Sequence, residues 1–104
     1  MKIDELTEEQ LDWLVAQKVD KHVTKADVIW CNYQPSKNWA QLGPLILAYK
    51  ISLGNQDHLG VPRESEWYAT DRNGAWGLAN HPNISVMRCL VMKFYGNEIE
   101  EDLL

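Results

Sequence analysis

Two groups of side chains in this sequence have types and spacing that could do chemistry. In the first, Ser36, Asn38, Trp39 and Gln41 place an indole among amides and a hydroxyl within six residues. An aromatic face flanked by amide donors and acceptors is how proteins read a nucleobase or a similar planar ligand. The simpler reading is that Trp39 plugs the core and that Ser36 and Asn38 cap a turn, because aromatic side chains are more often buried than offered as platforms. In the second, Arg88 lies beside Met87 and one turn before Val91, next to an apolar helical stripe. A guanidinium there either satisfies an internal acid or backbone carbonyl, with Asp71 and Glu66 as candidates, or aims a fork at a carboxylate or phosphate. Internal pairing is the more frequent outcome. Taken with Trp67, the two groups propose a pocket with residues 36–44 as one wall and the last helix as the other.

Nothing else reaches the level of a catalytic constellation. His81 precedes Pro82 at the start of a helix, where it could act as a base or an anion contact, but no nucleophile or second acid stands beside it. His22 and His58 are isolated. Three scattered histidines, with Cys31 and Cys89 far apart and outside any CxxC pattern, give no metal-ligand spacing and imply no cofactor. The two cysteines are expected to be buried, reduced thiols.

The elements that must position these residues are legible at both ends. Thr7-Glu8-Glu9-Gln10 fits a capping box, Leu6 and Leu11 fit a hydrophobic staple, and Leu11, Leu14, Val15 and Val19 continue an apolar stripe. This predicts a helix over residues 8–19. Ile84, Met87, Leu90, Val91 and Phe94 form a second stripe, with Pro82 at the entry and Gly96 at the exit, predicting a helix over residues 83–95. Val28-Ile29-Trp30-Cys31 is β-branched and aromatic and reads as a strand. Pro35 favours an extended Tyr33-Gln34, after which Ser36 would cap a single helical turn ended by Gly43-Pro44. Residues 45–49 fit either a helical turn or a strand, and residues 51–53 a strand. A polar stretch follows over residues 54–66, long enough to be functional or mobile. Residues 67–70 and 75–78 then read as strands joined by a turn at Asn73-Gly74. The fold class is α+β: a small antiparallel sheet with an N-terminal and a C-terminal helix packed on it.

Composition bounds the rest. The 104 residues make one domain, with 45% hydrophobic and 24% charged residues, ordinary for a globular chain. Nine of the fifteen acids lie at the two ends; residues 13–97 carry nine basic and six acidic residues, a balance of +3. Acidic ends argue against a general nucleic-acid binder, while leaving room for a small anionic ligand in the middle. The acidic tail, residues 97–104, is expected to be loosely held. No apolar run is long enough for a membrane span and the start lacks a signal-peptide pattern, so a cytoplasmic protein is expected.

Residues 36–46, with the later Trp67-Tyr68-Ala69, Met87-Arg88-Cys89-Leu90-Val91 and Gly96, resemble the small bacteriophage proteins called NinX-like, a family of unknown function. Leu11-Asp12-Trp13 fits the same pattern, so the resemblance covers most of the chain. It departs in the 54–66 loop, which is longer here, and at Leu42, where the family tends towards a second glycine. The resemblance implies a phage accessory protein in the bacterial cytoplasm and no particular reaction. Three functions are therefore carried forward. The first is a non-catalytic binding module for a host protein or a small, nucleotide-like ligand, with counter-defence as one role. The others are a nucleic-acid-associated accessory protein and a small enzyme using His81 or a loop acid. A homodimer through an aromatic surface is compatible with all three.

Overall fold

A computed structural model describes residues 1–56 and 59–104 of the chain. The first helix, α1 (Glu8–Val19), begins where the sequence predicts. The Thr7 hydroxyl accepts the Gln10 N–H at 3.2 Å and the Gln10 side chain accepts the Thr7 N–H at 2.9 Å, closing the capping box. Leu6, Leu11, Leu14 and Val15 are buried, so the staple and the stripe face the core.

The expected strand over residues 28–31 is instead a short helix, α2 (Lys25–Ile29). Its cause is a second capping box: Asp27 N–H donates to the Thr24 hydroxyl, and the Asp27 carboxylate accepts the Thr24 N–H. A reciprocal cap outweighs the weak strand preference of Val28 and Ile29. The chain then reverses at Cys31, whose φ of 62° is left-handed.

The next helix, α3 (Trp39–Tyr49), is longer than the expected single turn. Asn38 is its N-cap and Lys50, at φ 54°, ends it. Gly43 and Pro44 lie inside it, although proline in a helix interior removes a backbone donor and crowds the preceding turn. Burial of Leu42, with Leu45, Ile46 and Tyr49 packed against the core, holds the helix through that defect.

Three antiparallel strands follow, β1 (Ser52–Asn55), β2 (Trp67–Thr70) and β3 (Trp76–Ala79), in the order β1-β2-β3. A single-turn 3-10 helix (Arg63–Ser65) lies in the 54–66 segment; His58 falls outside the described residues. The β2–β3 turn is closed by the Asp71 carboxylate, which accepts the N–H groups of Asn73 and Ala75, with Gly74 at φ 94°.

The last helix, α4 (Pro82–Tyr95), lies across the sheet, with Gly96 at φ 88° after its end. The helix–sheet approach is set by Gly77. A β-carbon there would overlap the Ser85 carbonyl oxygen and lie 2.6 Å from the Cys89 nitrogen. The tail is not loose: Ile99 is buried, and its N–H donates to the Met1 carbonyl at 2.7 Å. Lys2 and Glu98 form an antiparallel bridge, and the Gln17 amide donates to the Leu103 carbonyl. Neither cysteine is bonded to the other; Cys89 is buried as expected, but Cys31 is exposed because it sits at the reversal after α2.

Gly77→Ala should therefore cost about 3 kcal/mol or more, since both obstructing atoms are backbone. Urea denaturation measures it; a loss comparable to an ordinary surface substitution would show that α4 can lift off β3.

Candidate functional site

The residues from Asn32 to Gln41 act first as a clasp. Pro35 and Ser36 are buried where the chain passes between α1 and α4. The Ser36 N–H donates to Asp12 Oδ1 at 2.9 Å and its hydroxyl to Asp12 Oδ2 at 2.7 Å. From the other side the Asn83 amide donates to the Pro35 carbonyl at 3.2 Å. Asp12 is only 3% exposed. Burial pushes its carboxyl up to about 6, with Glu8 adding to the rise, and the two bonds from Ser36 and the charge of Lys37 opposing it. Burial, with the charge of Asp12 adding to it, also raises the nearby Tyr33 phenol to about 12.

This arrangement corrects the structural roles expected of Ser36 and Trp39. Ser36 is not a helix cap but Asp12's partner. Asn38 is the cap, accepting the Ala40 N–H at 2.9 Å. Gln41 turns back along the chain, accepting the Gln34 N–H at 2.7 Å and donating to the Asn32 carbonyl at 2.9 Å. Each of these side chains thus makes an internal bond, Asn38 and Gln41 to nearby backbone groups and Ser36 to the Asp12 carboxylate. Trp39 does not plug the core: at the first position of α3 it is 50% exposed.

Arg88 belongs to a different place. It reaches from α4 to the outer edge of β3, where its Nη1 donates to the Leu78 carbonyl at 2.6 Å. The expected internal pairing is thus with a backbone carbonyl. Asp71 is taken instead by Lys93 at 2.9 Å. Burial works against the Asp71 carboxylate, but bonds from Lys93, Ala75 N–H and Asn73 N–H outweigh it and hold the group below its ordinary value. Burial lowers the Arg88 guanidinium, with Asp4 opposing. Among the described residues Arg88 Nε is buried without a hydrogen-bond partner, a state that costs a polar group free energy.

Arg88 lines a cleft of about 560 Å³, a volume typical of small-ligand sites, between the N-terminal turn, β3 and α4. Trp76, Leu78 and Met92 supply its apolar surface, and Asp4, Glu64 and Glu98 its acidic rim. Ser36, Asn38, Trp39, Gln41 and Trp67 do not line it. Trp67 is half-buried at the start of β2, opposite Ala79, and His81 is exposed at the entry to α4. Trp76 escaped the sequence reading, although alternation along β3 puts it on the face of Leu78, away from buried Gly77 and Ala79. Its backbone N–H points outward to the Met92 sulfur at 3.4 Å. Arg88 and Met92 thus cover the backbone of an edge strand that would otherwise be open.

The family model described as Bacteriophage P22, NinX matches residues 2–93. The chain belongs to this phage family. No curated protein matches it. In this NinX-family chain the matched region runs from the N-terminal turn through most of α4, and so includes the Asp12–Ser36 clasp and all of the Arg88 cleft's lining except Asn97 and Glu98. Among the described residues no helix is long and apolar enough to cross a membrane.

The clasp has a pH signature. Because the folded-state value of about 6 lies above the ordinary value of 3.8, Asp12 contributes stability that is full below about 3.8 and is lost as pH rises through about 6. Asp12→Asn keeps an acceptor for the Ser36 N–H and adds a donor for its hydroxyl. Wild type should gain on Asp12→Asn as pH falls across that window, in urea midpoints measured at each pH. A constant difference would refute the buried-carboxylate reading. Asp12→Ala, which strands the Ser36 groups, should cost roughly 1–3 kcal/mol.

Proposed function

We propose that this phage accessory protein works by binding a component of the infected cell, and that the cleft at Arg88 is the recognition surface. The observation that carries the reading is a cleft in which the part-buried Arg88 guanidinium, held through Nη1, lies beside a tryptophan, Trp76, that is 51% exposed. A guanidinium already anchored through Nη1 is pre-oriented, so little rotamer freedom is lost when its solvent-facing N–H groups gain an acceptor. A ligand carbonyl or single carboxylate supplies that acceptor. Trp76 and Met92 supply apolar, polarisable contact for the rest of the ligand.

Charge narrows the occupant. Asp4, Glu64 and Glu98 stand against Lys2 and Arg88 in the lining, a near balance that offers a multiply charged phosphate no cationic cradle and favours a segment of a host protein over a nucleotide. The adjacent edge of β3 supports the same choice, since an extended segment can lie along it once Met92 moves, the sulfur being a weak acceptor for the Trp76 N–H. Trp39, the centre of the nucleobase reading, stands outside this cleft.

The test is a thermal-shift screen of short host-derived peptides and of a nucleotide panel, with calorimetry on the hits. Peptide hits should weaken by roughly tenfold or more in Trp76→Ala and in Arg88→Lys, with melting curves confirming that both variants fold. Hits that bind both variants as tightly as wild type, or hits confined to nucleotides, would reject the cleft as the peptide site.

A further inference from the structure

The helix α3 carries an anomaly unrelated to the cleft. Residues 41, 42, 45, 46 and 49 face the body of the protein, and the opposite face consists of Trp39, Ala40, Gly43, Pro44, Leu47 and Ala48. That outward face has no polar side chain. Leu47 is 80% exposed, and only Gly43 among the six is partly covered. A surface helix normally turns charged and polar residues to water, and an outward face this apolar marks a contact surface.

We infer that this face packs against the same face of a second copy of the chain, as an antiparallel, two-fold α3–α3 contact. Three features favour a second copy over another partner. First, a two-fold interface brings the residues at its axis next to their own equivalents, so any charge close to the axis meets its like. The eleven residues of α3 contain no charge, in a chain whose net charge is −5.

Second, the two ends of the face complement each other. Trp39 projects at the N-terminal end. At the C-terminal end a cleft of about 580 Å³ opens beside Leu47, with Lys50, Ser52 and Arg72 among its walls. Antiparallel pairing centred on Gly43 brings Trp39 of one copy opposite Leu47 of the other, about 12 Å along the helix from its own Leu47. Side chains lean towards their own helix N-terminus, so each indole leans towards the partner's Lys50 end. There the cations of Lys50 and Arg72 can meet the ring face.

Third, the midpoint of the face is its flattest part. A β-carbon on Gly43 would meet nothing within 4 Å in the isolated chain, so the helix backbone is open to close approach there. The indole and the cleft are then one interaction made twice, once on each side of the axis.

Analytical ultracentrifugation across a wide concentration range reads this directly. Wild type should show a monomer–dimer equilibrium. Leu47→Glu should weaken dimerisation by roughly tenfold or more, because the added carboxylate would be buried against the partner's indole and apolar face without a partner. Its helical signal should be unchanged, since Leu47 has little contact to lose. Trp76→Ala and Trp30→Ser, at exposed indoles elsewhere, should leave the equilibrium unaffected. In a Cys31→Ser background, Gly43→Cys should form an intermolecular disulfide under mild oxidation. A wild-type chain that stays monomeric overturns the inference. So does a dimer that survives Leu47→Glu, that is lost in Trp30→Ser, or that fails to cross-link at position 43.

Discussion

A carboxylate with 3% exposure needs hydrogen bonds to remain folded in place, and Asp12 finds both of its own on one residue, Ser36. That requirement fixes where the chain passes after α2. The Pro35–Ser36 segment is held to α1 by Asp12 and to α4 by Asn83, so two helices that are far apart in sequence grip one peptide between them. The path into α3 follows from it. Asn38, two residues beyond the clasp, becomes the N-cap, and Gln41 ties the first turn of α3 back to Asn32 and Gln34. Without the Asp12–Ser36 pair, α3 would have no fixed origin and its apolar outer face no fixed direction.

The second constraint is the close approach of α4 to β3 at Gly77. Because the helix lies so near the strand, side chains on its flank reach the strand's outer edge. Arg88 takes the Leu78 carbonyl, and Met92 meets the Trp76 N–H. The same contacts that cover an edge strand shape the cleft and leave Arg88 Nε without a partner among the described residues. A buried donor in that state is a local cost. Cleft and helix face are separate features, the first built on α4 and β3 and the second on α3.

Local signals account for what was readable in the sequence. The capping box at Thr7, the paired apolar stripes and the turn at Asn73-Gly74 each act within a few residues, and α1, α4 and the β2–β3 hairpin stand where those signals put them. The strand expected over residues 28–31 failed although its competing signal was also local. Thr24 and Asp27 repeat the spacing seen at Thr7 and Gln10, and the aromatic, β-branched run after them masked it. At Gly43-Pro44 the local signal was read correctly as unfavourable to helix, yet the burial of Leu42 and its neighbours overrode it.

The sequence by itself determined the α+β class, the two long terminal helices, the hairpin and the family, because periodicity, caps and turn residues are encoded over short spans. It also marked Trp39 and Arg88 as residues needing an explanation. Tertiary structure alone decided what they do. Whether an indole faces core or water, and whether a guanidinium pairs with Asp71 or Leu78, depends on which elements come together across tens of residues. Asp12 shows this most plainly. In the sequence it is one acid among five at an acidic end; in the fold it is a buried carboxylate that holds the central segment in place.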